Sequence, residues 1–146
     1  MRRLLPPILL LVLLSALALL HFLHPPLGAM GSPPLVAIGL ILLGVVGLVG
    51  ARIQFARAQA EIMTFDTPRN LVMDGLFALT RNPMYLAMML VVTGAALLVD
   101  RWCGMLAPAL FFAAANWWYI PFEERAAAAA FGEPYLAYRS QVRRWI

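Results

Sequence analysis

Four stretches, at about 4–23, 34–51, 83–99 and 102–120, are almost wholly apolar, and each comes close to the roughly 20 residues that carry a helix across a bilayer. A chain of 146 residues built on four such runs has no room for a separate soluble domain. Its side chains are 63% hydrophobic and 12% charged, against about half and a quarter in soluble domains, so lipid is its expected solvent. The predicted fold class is all-α: an integral membrane protein of four transmembrane helices, one domain over 1–146, with a polar connection over 52–82 and a polar tail over 121–146.

Arg2 and Arg3 before the first run resemble the start of a secretory signal peptide. The run is longer than a signal core, however, and His24, Pro25 and Pro26 offer no small-x-small cleavage site, so a retained helix is expected. Pro6 and Pro7 fall in its first turns, where a missing N–H costs least. In the second run Gly39, Gly44, Gly47 and Gly50 invite close approach of a neighbouring helix. That helix is expected to continue from Arg52 toward Met63 and to break over 64–68. Only Asp100 and Arg101 separate the third and fourth runs, which predicts an antiparallel helical hairpin. Trp102, Trp117, Trp118 and Tyr119 sit at predicted span ends as interfacial anchors.

The cations are eleven arginines and no lysine. With these spans Arg2, Arg3, Arg52, Arg57, Arg69, Arg81, Arg125, Arg139, Arg143 and Arg144 share one side and Arg101 alone lies opposite, which puts both termini and both polar segments in the cytoplasm. The membrane would be the plasma membrane, or the inner one in a bacterium. This asymmetry reads as a topology signal, not a nucleic-acid surface. The lone Cys103 excludes an intrachain disulfide. His21 and His24 can share a helical face but lack a further ligand nearby, so no metal is expected. Asp66 and Asp74 read as loop and turn residues.

Chemistry is expected on the basic side. In LTRNPMYL, Asn82 suits a helix N-cap and Pro83 the first helical position, which leaves backbone N–H groups for an anion, with Arg81 beside them as a fork-shaped cation. After the fourth run Pro121 is expected to interrupt the helix, followed at once by Glu123 and Glu124. The hairpin brings these ends to one side, so Arg81, Asn82, Tyr85, Glu123 and Glu124 can converge and Glu123 can pair with Arg81. Donors for a carboxylate, together with acidic groups for hydroxyls or an ammonium, suit a zwitterionic, ribose-bearing ligand such as S-adenosylmethionine, among others. The bland alternatives are a capping pair, an interfacial anchor and a solvated border. In the last segment Gly132 ends one helix and Pro134 starts another. Phe131, Tyr135, Tyr138, Val142 and Trp145 then form a stripe, read as an amphipathic helix on the cytoplasmic leaflet ahead of a calmodulin-like docking helix.

Two blocks, RNLVMDGLFALTRNPMYL and EERAAAAAFGEPYLAYRSQVRRWI, flank the hairpin in the order and spacing of a known superfamily. Over about 64–146 the chain resembles the isoprenylcysteine carboxyl methyltransferases and phospholipid methyltransferases. The resemblance implies S-adenosylmethionine as cofactor, held by Arg69, Asn70, Leu71, Val72 and Phe77, by Asn82, Pro83, Met84 and Tyr85, and by Glu123 and Glu124. It also implies a lipophilic or lipidated acceptor entering from the membrane lipid; no protein partner is inferable. The chain departs from the eukaryotic prenylcysteine enzymes in having Asn82 for a histidine, Phe77 for a tyrosine and no arginine near Tyr119, which leaves the acceptor open between a carboxyl and an amine. In a methyl transfer that depends on alignment and water exclusion, Arg81 would orient a carboxylate acceptor and Glu124 would take the proton of an amine. Two rivals stand beside this reading: a non-catalytic membrane scaffold, and a membrane reductase using a nicotinamide cofactor.

Overall fold

The structure, a computed structural model, describes residues 5–23, 30–58 and 70–146. Arg2, Arg3, His24, Asp66, Arg69 and the expected break over 64–68 lie outside the described residues. Within them every regular element is helical: α1 (Pro6–Leu23), α2 (Pro34–Arg57), the single turn α3 (Leu76–Leu79), α4 (Pro83–Val99), α5 (Leu106–Ala114), α6 (Ile120–Phe131) and α7 (Glu133–Gln141). A 3-10 turn, Trp102–Met105, leads into α5, and a π-helical turn, Ala115–Tyr119, joins α5 to α6.

Among the described residues three helices are long and apolar enough to cross a membrane: Pro6–Leu23, Pro34–Arg57 and the continuous Trp102–Phe131. The fourth expected span, α4, is apolar but has 17 residues, about 26 Å at the α-helical rise. Pro83 fixes its start. Asp100 ends it in the left-handed conformation (φ 54°, ψ 41°), its N–H bonded to the Leu97 carbonyl. A helix buried on most sides is central to its bundle. α4 is that helix here, with buried residues from Pro83 through Tyr85, Met88 and Val92 to Ala96.

α2 runs antiparallel along one face of α4, and two glycines on opposite helices allow the backbones to meet. A Cβ at Gly44 would lie 2.6 Å from the Ala87 carbonyl oxygen, and one at Gly94 would lie 2.6 Å from the Ala37 carbonyl oxygen. Both obstacles are backbone, which cannot turn aside as a side chain can. Gly94→Ala is therefore expected to prise α2 from α4 and destabilise the protein by about 1–3 kcal/mol, read as a lower Tm in detergent. Gly39 has nothing within 4 Å of such a Cβ, so Gly39→Ala should leave Tm unchanged.

The opposite face of α4 carries the apolar core. Leu10, Leu13 and Leu17, spaced at helical intervals on α1, pack with Tyr85, Met88, Val92 and Ala96 of α4 and with Ala107, Phe111, Ala115, Tyr119 and Ile120 of the last long helix. The outer faces of α1 and α2 expose Leu11, Leu19, Leu35, Leu42 and Val46, a surface suited to lipid. At one end of the bundle the Ser32 hydroxyl donates to Asp100 Oδ1 at 2.6 Å, and Arg101 Nη1 donates to the Leu20 carbonyl at 3.0 Å. Those contacts hold the α1 and α2 ends against the α4 to α5 turn. The Ser32 hydroxyl, then its backbone N–H, keep the Asp100 carboxyl below the usual aspartate range.

Pro121 does not interrupt the last helix, contrary to expectation. A proline lacks an N–H and crowds the carbonyl one turn back. The preceding π turn widens the backbone there, as the bond from the Ile120 N–H to the Ala115 carbonyl shows, and the helix continues to Phe131. Gly132 (φ 59°) then reverses the chain into α7, which has a proline in its first turn.

Candidate functional site

At the other end of the bundle lie the start of α1, the end of α2, the start of α4 and α6. The approach to α4 is built by a glycine. Gly75 adopts φ 54° and ψ −121°, a conformation essentially confined to glycine. Its turn is clasped by Gln54, whose Nε2 donates to the Asp74 carbonyl at 3.1 Å and whose Oε1 accepts the Leu76 N–H at 3.0 Å. Phe77 is thereby tucked inward, edge-on to Phe55 at 4.9 Å.

α7 lies against this turn. The Tyr138 hydroxyl donates to the Phe77 carbonyl at 2.6 Å, and Tyr135 and Tyr138 are both buried. Tyr135 and Tyr138 of the expected stripe therefore face protein, whereas Phe131, Val142 and Trp145 are half-buried and the last two lie beyond α7: a tyrosine ring can enter a core when its hydroxyl finds an acceptor there. Burial pushes the Tyr138 hydroxyl up from 10.0 to about 12 and raises Tyr135 as well. Because the folded value lies above the unfolded one, Tyr138 stabilises fully below about pH 10 and loses that contribution as pH rises through about 12. Tyr138→Phe should therefore lower Tm at neutral pH and flatten its fall between those limits, as thermal melts across that range would show.

Arg81 and Asn82 enter α4 in an unexpected way. Asn82 occupies the cap position, but its side chain makes no capping bond; Nδ2 donates instead to the Arg144 carbonyl at 2.9 Å. Its φ of −130° and ψ of 54° accompany this outward turn. The Arg81 side chain is 10% exposed. Its Nη1 donates to the Arg139 and Val142 carbonyls at 2.9 and 2.6 Å, and its Nη2 to Glu124 Oε1 at 2.7 Å. Arg144 holds the other oxygen, with Nη2 to Oε2 at 2.6 Å. The expected partner of Arg81 was Glu123; the structure gives it Glu124, because successive helical residues point about 100° apart. Glu123 Oε1 instead accepts the Tyr85 hydroxyl at 2.9 Å. Tyr85 in turn stacks on Tyr119 at 6.2 Å between centroids. Tyr119 is 1% exposed, so it is a core residue and not the interfacial anchor its position suggested, while Trp102, Trp117 and Trp118 remain exposed.

A cavity of about 210 Å³ opens among these groups. Asn70, Leu71, Val72 and Phe77 line one side, Arg81, Asn82, Pro83, Met84 and Tyr85 the next, and Glu123 and Glu124 a third. Every site residue expected from the sequence, Arg69 apart, thus lies on one cavity. The sequence reading missed Pro6, Pro7, Phe55, Met88, Tyr135 and Tyr138, which with Ala126, Ala127 and Phe131 complete the wall. The tyrosines at i and i+3 were the available signal, since two hydroxyls on one face can reach acceptors inside the protein. Of the proposed histidine pair, His24 is outside the described residues, and His21 stands edge-on to Phe22.

Residues 34–134, well over half of the chain, match the phospholipid methyltransferase family. The chain belongs to this family. It thereby falls in the superfamily that joins phospholipid and isoprenylcysteine carboxyl methyltransferases. Comparison with curated proteins and with solved structures returned no match. Family membership and three long apolar helices make this an integral membrane protein of a methyltransferase family. The match runs from the start of α2 to the first turn of α7, so it takes in every expected site residue and leaves out α1 and 135–146.

Proposed function

We propose that the protein transfers a methyl group from S-adenosylmethionine to a lipophilic or amphiphilic acceptor at the cytoplasmic face of its membrane. One observation carries this: the family-matched residues converge on a cavity that combines a carboxylate, amides, the first turn of a helix and aromatic walls. A methylated sulfonium is cationic, and the Glu123 carboxylate with the faces of Phe77 and Tyr135 is a fitting environment for it. Asn70 and Asn82 supply polar contacts, and the opening N–H groups of α4 suit a carboxylate. Leu71, Val72 and Met84 suit the flat face of a nucleobase.

When bound, the cofactor supplies an electrophilic methyl group. The acceptor's lone pair forms the new bond to carbon as the carbon–sulfur bond breaks and its electrons pass to sulfur; an amine acceptor then releases a proton. Such a displacement needs an aligned, dry site more than an acid or base. Pro6, Pro7, Met88 and Tyr138 exclude water along the walls. Glu124 is engaged by two arginines, so Glu123 is the better placed acceptor for a released proton. Arg81 and Glu124 act as a framework, with Arg81 retained as the cation nearest an anionic acceptor group. We place both termini in the cytoplasm and count α4 as a fourth crossing, supported by seven of the eight arginines among the described residues falling toward the cavity end, Arg101 being the exception.

The test is transfer of a labelled methyl group from S-adenosylmethionine in nanodiscs containing mixed cellular lipids. Label appearing in a lipid-extractable product is expected, and its identity distinguishes an ester from a methylated amine. Folded protein that leaves all lipid and prenylated acceptors unlabelled would overturn the proposal.

A further inference from the structure

Residues 142–145 follow α7 without regular structure, bending at Val142 and Arg144 beside the cavity end, beyond the region that matches the family. They make an unusual number of specific bonds for a short tail segment. The Arg143 carbonyl accepts the Arg81 N–H at 3.0 Å, and the Val142 carbonyl accepts Arg81 Nη1. The Arg144 carbonyl accepts both Thr80 Oγ1 at 3.1 Å and Asn82 Nδ2 at 2.9 Å. On its other side the Arg144 guanidinium grips Glu124 through Nη2 and Nε, and reaches Asn116 Oδ1 at 3.4 Å. The Trp145 indole N–H donates to the same Asn116 oxygen at 3.2 Å.

Arg144 thus joins two walls, reinforcing the direct Arg81–Glu124 ion pair between them. Its carbonyl fixes the entry to α4, and its guanidinium fixes α6 at Glu124. Asn116 stands in the π turn, whose wider winding sets the direction of its side chain. Arg144 itself does not line the cavity; Asn82 and Glu124, which it holds, do. We infer that residues 142–145 form a strap, and that Arg144 is a positioning residue that sets the spacing of the cavity walls through Asn82 and Glu124. A fork-shaped guanidinium is required, because one side chain must meet a carboxylate and an amide oxygen at once.

The inference rests on reading the cavity as the cofactor site, so its test has a ligand-free arm. Amide hydrogen exchange is compared for the wild type, Arg144→Ala, Arg144→Lys and Arg125→Ala, the last removing an exposed arginine next to Glu124. Arg144→Ala should speed exchange at 80–84 and 116–124, with Arg144→Lys intermediate and Arg125→Ala like the wild type. In titrations Arg144→Ala should weaken S-adenosylmethionine about tenfold or more, the scale of a lost charged hydrogen bond. Combining it with Glu124→Gln should weaken binding no further than the worse single change, since both break one linkage. Wild-type exchange and affinity in Arg144→Ala, or additive losses in the pair, would overturn the strap. If the wild type binds no S-adenosylmethionine while exchange rises as stated, the cofactor reading falls and the strap stands.

Discussion

Glu123→Ala is expected to weaken S-adenosylmethionine by about tenfold to a hundredfold, the scale of losing a charge-assisted contact in a partly enclosed site. The carboxylate sits on the cavity wall with its Oε1 fixed by the Tyr85 hydroxyl at 2.9 Å. Alanine removes both the negative charge facing the sulfonium and the acceptor for that hydroxyl. Tyr85→Phe keeps the ring that stacks on Tyr119 and loses only the hydroxyl, so its effect should be the smaller of the two. Calorimetric titration of both variants ranks them. Equal affinity in Glu123→Ala and wild type would remove Glu123 from the site.

The second large effect concerns stability. Glu124→Ala should destabilise the fold by about 3–5 kcal/mol, the range for removing one partner of a buried ion pair. Glu124 is 9% exposed and neutralises Arg81, which is 10% exposed, and Arg144, which is 31% exposed. Without it the Arg81 charge stays in the protein with only carbonyl partners. Arg144 can swing toward solvent, which puts the effect at the lower end of the range. Glu124→Gln keeps one acceptor oxygen and should lose less. Denaturation midpoints in detergent, with monodispersity checked by gel filtration, measure the difference. A Glu124→Ala protein as stable as the wild type would show that the pair contributes little and that carbonyl contacts hold Arg81 unaided.

The helices were legible because lipid demands long apolar runs and because Pro and Gly mark their limits. Pro83 and Asp100 bound α4 as their chemistry suggests, and Gly44 and Gly94 lie where two backbones touch. The Gly94 role was not read from the sequence, since it lies alone on its helix. The site was legible as a set of residues and not as a set of bonds. The expected hairpin brought Arg81 near the acidic pair, but choosing Glu124 over Glu123 depends on the helical phase, and that phase is set by a π turn with no signature in the sequence. The same shift turns Tyr119 inward. The burial of Tyr135 and Tyr138 on α7 was not read from the sequence because an apolar face looks alike whether lipid or protein covers it. The partners of Arg144 were invisible because they are side chains about 20 to 60 positions away, two of which meet its backbone carbonyl and two its guanidinium.

The central claim is that the cavity at the start of α4 holds S-adenosylmethionine, and calorimetric titration of that compound into the wild-type protein in lipid nanodiscs tests it most directly. The account predicts saturable binding at one site per chain, with NADPH giving none. No heat of binding from a folded, monodisperse protein, or saturation by NADPH in its place, would contradict it.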